Sequence, residues 1–226
     1  MSNFQTINMI SIDGNIGSGK STLMGELKTY FNSNTNVVFL KEPVDEWETI
    51  KDENGTTILE KFYENPSKYG FSFQIMAYIS RLNIMKQEFK KNPNAIFISE
   101  RSLFTDKLVF AKMLFDSGNI ELVNYKIYLQ WFNTFAEDFP VSKVIYVNTD
   151  PEICHQRIEK RSRTGESNIP LEYLQNCHKY HADMLDVSST DCICKEQLVL
   201  NGNIDMNKNK DQLTEWIQQV NTFIHN

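Results

Sequence analysis

Gly14-Asn15-Ile16-Gly17-Ser18-Gly19-Lys20-Ser21 matches the pattern G-x-x-x-x-G-K-[ST] without a gap. Glycines in such a run allow backbone angles closed to other residues, so successive N–H groups turn inward and form a nest for an anion. A helix starting at the end of the run adds the positive end of its dipole. In this pattern Lys20 reaches the β- and γ-phosphates of a nucleotide, and the Ser21 hydroxyl ligates Mg²⁺. A glycine-rich turn with an incidental lysine gives the same letters, so the flanking sequence decides. The apolar run Ile7–Ile12 precedes the loop, and Leu23, Leu27, Tyr30 and Phe31 then share one face of a helix beginning near Ser18. Strand, glycine loop and helix in that order predict an ATP site formed by Gly14, Asn15, Ile16, Gly17, Ser18, Gly19, Lys20, Ser21 and Thr22.

Outward from this loop, Val37–Leu40, Ala95–Ser99, Val144–Val147 and Gln197–Leu200 are short apolar runs without strict alternation. That is the signature of parallel strands covered on both faces. Helical patterns lie between them, two of them opened by Pro151 and Pro170, and Leu213, Trp216, Ile217, Val220 and Ile224 recur at helical spacing near the end. The expectation is a three-layer α/β fold of the P-loop kinase type. It has a five-stranded parallel sheet flanked by helices, a helical insert between the second and third strands, and a short arginine-rich lid at about residues 157–168. Residues 1–226 are read as one domain.

The chain is 41% hydrophobic and carries a net charge of −6 with no large basic surface, which argues against nucleic-acid binding. Its apolar runs are too short to span a membrane. Met1–Thr6 has neither a basic start nor arginine enrichment, so no leader and a cytoplasmic location are expected. Cys154, Cys177, Cys192 and Cys194 have spacings of neither a zinc site nor a disulfide framework and read as reduced thiols.

A phosphate loop alone does not name a reaction. Asn207-Lys208-Asn209-Lys210 lacks the final aspartate of a guanine-reading motif, and the large motor ATPases need far more chain. Small-molecule kinases remain, and they need groups for an acceptor. Glu42 follows the second strand and Glu100-Arg101-Ser102 the third, at the sheet edge that faces the transferred phosphate. Glu42 can take a proton from an attacking hydroxyl, Glu100 can hold Mg²⁺ directly or through water, and Arg101 can contact the acceptor oxygen or a phosphate. The plainer alternatives are a surface glutamate and a surface ion pair. Arg157 and Arg161, four residues apart, share a helix face and can close over ATP; the alternative is a solvated helix end. Thr164–Asn168 then forms the tip of the lid. Gln74, Ala77 and Arg81 share a helical face, and a glutamine amide suits the paired donor and acceptor of a nucleobase edge. Trp47, Phe104 or Phe110 can stack on a base, although ordinary core is the preferred reading for Phe73 and Phe110.

Together, Asp13–Ser21, Glu42-Pro43-Val44-x-x-Trp47, Phe71-Ser72-Phe73-Gln74, Glu100-Arg101-Ser102 and Ile169-Pro170-Leu171-Glu172-Tyr173-Leu174 resemble the deoxynucleoside kinase family, in order and over nearly the whole chain. The resemblance implies ATP-dependent phosphorylation of a deoxynucleoside 5′-hydroxyl, with Mg²⁺, by a homodimer built through helices. It implies Glu42 as general base and Arg101 as holder of the hydroxyl. Tyr63 and Glu166 match positions binding the sugar 3′-hydroxyl, Gln74 the base edge, and Trp47 the wall of the nucleoside pocket. Phe73, Ala77 and Phe110 join that pocket, and Arg157, Arg161 and Arg163 match lid arginines. An arginine and an aspartate at Arg81 and Asp106 accompany deoxycytidine and purine deoxynucleosides in the family, so deoxyadenosine, deoxycytidine or deoxyguanosine is expected and thymidine is disfavoured. The rivals are a nucleoside monophosphate kinase of the thymidylate type, which would need a further arginine for the acceptor phosphate, and a catalytically silent nucleotide-binding scaffold.

Overall fold

Ile10 and Ile12 pack on one face of the first strand and Met9 on the other, and all three are fully buried. This two-sided burial, repeated along the sheet, explains why its strands do not alternate apolar with polar. A computed structural model describes residues 8–34, 36–161, 165–166, 169–206 and 208–225. Ile7, Arg163 and most of the expected lid tip lie outside the described residues.

The strands are β1 (Asn8–Asp13), β2 (Val37–Leu40), β3 (Ile96–Glu100), β4 (Lys143–Asn148) and β5 (Gln197–Asn201), all parallel, in the order β2-β3-β1-β4-β5. The first, third, fourth and fifth run further at their C-terminal ends than expected. Ladder hydrogen bonds use the main chain, so the polar residues Asp13, Glu100, Asn148 and Asn201 continue them. Helix α1 (Lys20–Tyr30) begins two residues later than predicted, because Gly17 and Gly19 take left-handed backbone angles that no α-helix accepts.

The insert holds α2 (Val44–Trp47), α3 (Ile58–Glu64) and α4 (Pro66–Lys91). Thr57 and Glu60 form a reciprocal capping box at the start of α3, and Pro66 occupies the first turn of α4, where a missing N–H costs nothing. After β3 come α5 (Leu103–Thr105), a π-helical turn at Asp106–Ala111, α6 (Lys112–Asp116) and α7 (Leu122–Phe135). Then α8 (Pro151–Arg161) and α9 (Leu171–Leu185) follow β4, and α10 (Lys210–His225) follows β5.

Leu23 and Leu27 of α1 with Trp216, Val220 and Ile224 of α10 cover one sheet face. Tyr78, Leu82 and Met85 of α4 with Tyr128 and Phe132 of α7 cover part of the other, and Cys177 and Met184 of α9 pack beside them against Val144 and Tyr146. The three expected layers result. All four cysteines are free thiols, Cys154 and Cys177 buried. No described helix is long and apolar enough to cross a membrane.

The chain leaves β1 toward β2 on one side, while after β3 it crosses to β4 on the other. Between these diverging loops, at the C-terminal ends of β1 and β3, the sheet opens a crevice.

Candidate active site

The crevice leads into a cavity of about 620 Å³. At one end lies the glycine loop. Gly14 has φ +149° and Gly17 φ +77°, and a Cβ on either would sit 2.6 Å from the Val147 carbonyl or 2.7 Å from that of Cys154. Only glycine fits a loop pressed so closely against β4 and α8. Lys20 donates to the carbonyls of Gly14 at 3.0 Å and Asn15 at 2.7 Å, so its ammonium lies inside the nest. Ile16, Gly17, Gly19, Lys20, Ser21 and Thr22 line the cavity. Asn15 instead turns its side chain away and donates to the Leu174 carbonyl at 2.8 Å, tying the loop to α9. Gly14 and Ser18 also lie off the cavity wall.

Ser21 donates to Glu100 at 2.6 Å. A hydroxyl and a carboxylate so placed are hard oxygen donors that fit a magnesium ion carrying most of its other ligands as phosphate oxygens and water. Among the described residues no group of three or more His, Cys, Asp or Glu side chains could hold a metal by itself.

Arg157 was expected over the nucleotide. It lines the cavity, but its guanidinium donates to the carbonyls of Ser18 at 3.1 Å and Ile204 at 3.3 Å, bracing the glycine loop against the turn after β5. Asn203, Asp205 and Met206 of that turn also line the cavity. Arg161 pairs with Glu166, and both line the cavity.

Glu42, Arg101, Arg81 and Asp106 meet at the centre. Arg101 donates to Glu42 Oε1 at 2.5 Å, and Arg81 to the same oxygen at 3.2 Å. Arg81 also holds Asp106 at 2.9 Å and the Glu100 carbonyl at 2.6 Å. Arg101 lies over the Phe110 ring, 4.9 Å from its centroid. Arg81, expected to line the pocket, lies behind the wall at 3% exposed, because its whole fork is occupied by these partners; Asp106 does line it.

The far end is aromatic. Trp47 meets Phe73 edge-on, Phe62 stacks on Phe73 at 4.6 Å, and Tyr63 meets Tyr173 edge-on. Trp47 is anchored by its indole N–H, which donates to Ser80 at 2.9 Å. Phe73 and Phe110 are core and wall at once, both buried and both facing the cavity. Gln74 is 2% exposed and lines the cavity beside Ala77, yet its amide bonds none of the described residues. Phe104 packs instead against Phe132, away from the site. Sequence reasoning overlooked Leu59 and Phe62 of α3 and the role of Tyr173 as wall residues. The first two have only the i, i+3 spacing of any core face, while Tyr173 stood inside a motif already noted.

The profile described as deoxynucleoside kinase matches residues 10–225. A probable deoxycytidine kinase of Fowlpox virus is 31% identical over 97% of this chain and 89% of its own length. Human deoxycytidine kinase is 31% identical over 96% of this chain and 91% of its own. Human mitochondrial thymidine kinase 2 is likewise 31% identical, over 78% of this chain and 64% of its own. The chain belongs to the deoxynucleoside kinase family. It is a phosphotransferase acting on a nucleoside hydroxyl, and the names of its relatives span more than one base.

The charges of the kinase site sit unevenly around their ordinary values. Burial, followed by Arg101, brings the Lys20 ammonium down to about 8. Burial pushes the Tyr63 phenol far above its usual range, and Glu166 adds to this, so it stays neutral. Burial alone would raise Glu42, but Arg101, Arg81 and Lys20 together hold its carboxyl down at about 2. A carboxyl of pKa 4.5 when unfolded and about 2 when folded stabilises the fold fully above 4.5, and that contribution disappears as pH falls toward 2. Urea unfolding across this window is expected to show the parent losing on the order of 3 kcal/mol more than Glu42→Gln. Parallel pH curves for the two proteins would contradict the assigned charge state.

Proposed function

We propose that the chain, working as one kinase domain, transfers the γ-phosphate of Mg·ATP to the 5′-hydroxyl of a deoxynucleoside whose base carries an exocyclic amino group. The observation that carries this reading is the way Glu42 is held. Both arginines bind its Oε1, which leaves Oε2 to accept from a substrate hydroxyl in the cavity that also holds Lys20. The carboxylate charge would repel an acceptor phosphate placed beside it, which disfavours the monophosphate rival.

In this reading the glycine-loop N–H groups and Lys20 cradle the phosphates, and Ser21 and Glu100 hold Mg²⁺. When bound, Mg²⁺ neutralises charge building on the β- and γ-oxygens. Glu42 orients the 5′-hydroxyl and accepts its proton. A carboxylate this acidic is a weak base, but a loose phosphoryl-transfer transition state demands the proton only as the new bond completes. Arg101 holds the hydroxyl and Arg161 adds positive charge at the phosphates. Tyr63 and Glu166 take the sugar 3′-hydroxyl, and Gln74 pairs with the base edge between Trp47 and Phe110.

Asp106 presents a carboxylate to the same pocket, steadied by Arg81. It can accept from an exocyclic amine, which thymine lacks, and Asp106, held in place by Arg81, crowds the site where a 5-methyl group would sit. This favours deoxyadenosine, deoxycytidine or deoxyguanosine over thymidine. We also propose a homodimer. Val123, Ile127 and Trp131 recur every four residues on α7, all exposed, next to exposed Ile79 of the adjacent α4. A second copy would cover this stripe.

Transfer from Mg·ATP to deoxyadenosine, deoxyguanosine, deoxycytidine, thymidine, dCMP and dTMP tests the central reading. Amino-bearing nucleosides are expected to give product, and Glu42→Gln to lower kcat by about 10²-fold while ATP still binds. Product from monophosphates alone would transfer the protein to the rival class. Arg81→Met combined with Asp106→Ala is expected to raise thymidine turnover about tenfold or more relative to deoxycytidine; an unchanged ratio would make the pair structural. For the dimer, Trp131→Glu is expected to halve the mass seen by sedimentation equilibrium, and a monomeric parent would dismiss the assembly.

A further inference from the structure

Arg101 is the only non-glycine among the described residues with a positive φ, +63°. A side chain in the left-handed region is sterically strained, and such strain persists only where surrounding contacts hold it. The contacts here are identifiable. The Arg101 N–H donates to the Ile12 carbonyl at 3.0 Å, continuing the β1–β3 ladder one step past its end. Directly after Arg101, Ser102 and Thr105 form a reciprocal capping box. The Ser102 N–H donates to Thr105 Oγ1 at 3.1 Å, and the Thr105 N–H donates to Ser102 Oγ at 3.2 Å. Thr105 then donates its own hydroxyl to Asp13 Oδ1 at 2.5 Å, while Ser11 donates to Asp13 Oδ2 at 2.5 Å. Ser11, Asp13, Ser102 and Thr105 are each fully or almost fully buried. Asp13 directly precedes the glycine loop, and none of the four lines the cavity.

The hydroxyl directions are consistent throughout. Thr105 Oγ1 gives its single proton to Asp13 and receives from the Ser102 N–H, so Asp13 determines which way the threonine faces. The outcome is a clip from the end of β1 to the first turn after β3, closing over the one residue that must turn back on itself. That turn sends the Arg101 guanidinium toward Glu42 and across the face of Phe110.

We propose that Asp13 and Thr105 are positioning residues for phosphoryl transfer: their hydrogen bond holds the strained backbone at Arg101 and so aims its guanidinium at Glu42 and the acceptor hydroxyl. The inference rests on the reading of Arg101 and Glu42 as acceptor-side groups. It adds a specific demand, for a hydroxyl at residue 105 and an acceptor at residue 13. A clip of this kind acts on the acceptor half of the reaction and leaves the phosphate nest intact, because the nest is held separately by Asn15, Thr149 and Arg157.

Thr105→Val removes the hydroxyl at nearly constant volume, and Thr105→Ser restores it. With Mg·ATP and a nucleoside that the parent phosphorylates, Thr105→Val is expected to lower kcat at least about tenfold, as small misplacements of positioned groups do, with KM for ATP within about twofold of the parent. Thr105→Ser is expected within about twofold of the parent in both. Should Thr105→Val fail to accumulate as folded protein, Ser102→Ala, which removes the cap acceptor for the Thr105 N–H and the 3.1 Å contact of Ser102 Oγ with Thr105 Oγ1, should show the same split in kcat and KM. Parental kcat in Thr105→Val or Ser102→Ala overturns the proposal. So does a KM for ATP rising as steeply as kcat falls, or a Thr105→Ser variant as impaired as Thr105→Val. Arg101→Met, measured alongside, separates the two levels: an unimpaired Arg101→Met removes the role of Arg101 itself, whereas an impaired Arg101→Met beside a normal Thr105→Val removes only the clip.

Discussion

Two arginines and two carboxylates share one buried cluster, and the rest of the kinase site is arranged around their mutual dependence. Arg81 and Arg101 are 3% and 5% exposed, and a buried guanidinium left alone would be prohibitively unfavourable. Each has partners on more than one element. Arg81 reaches from α4 to Glu42 after β2, the Glu100 carbonyl at the end of β3, and Asp106 in the π-helical turn. Four separate pieces of chain are thereby drawn to a single point. Breaking such a cluster by removing one member leaves another charge buried and uncompensated, which costs far more than the intact pair contributes.

That dependence also sets the chemistry. With two arginines on one oxygen, the Glu42 carboxyl stays ionised across the physiological range, and its other oxygen is left to accept elsewhere. Burial, followed by Arg101, draws down the Lys20 ammonium, so the glycine-loop end and the centre of the cavity are coupled electrostatically.

Much of the fold was readable from short-range pattern. All five strands were visible as apolar runs because a sheet buried on both faces leaves a continuous signal, and Pro151 and Pro170 marked the helix starts correctly. Gly14–Ser21, Glu42, Glu100 and Arg101 were legible because strand ends of a parallel sheet place chemistry at known positions. Other features were not. The order β2-β3-β1-β4-β5 is a matter of long-range pairing that no local run encodes. Leu59 and Phe62 have no marker that separates pocket wall from core. Arg157 has the spacing of a lid arginine, while its actual partners are main-chain carbonyls, which carry no side-chain signature at all. The αL turn at Arg101 is invisible for the opposite reason, since nothing but tertiary contacts would force an arginine there.

Because every strand runs the same way, all the working loops emerge along one rim of the sheet. The loops after β1, β4 and β5 furnish the nest and the wall nearest Arg157; those after β2 and β3 furnish Glu42, Gln74, Asp106 and the aromatic chamber. Among the described residues, Glu166 and Tyr173 cross this division, reaching over from the segment between β4 and β5. The cavity is thus assembled from two sets of exchangeable parts on a common chassis. Changes in the second set can reshape the aromatic chamber while the first leaves the glycine loop as it is, and neither needs the opposite rim to move.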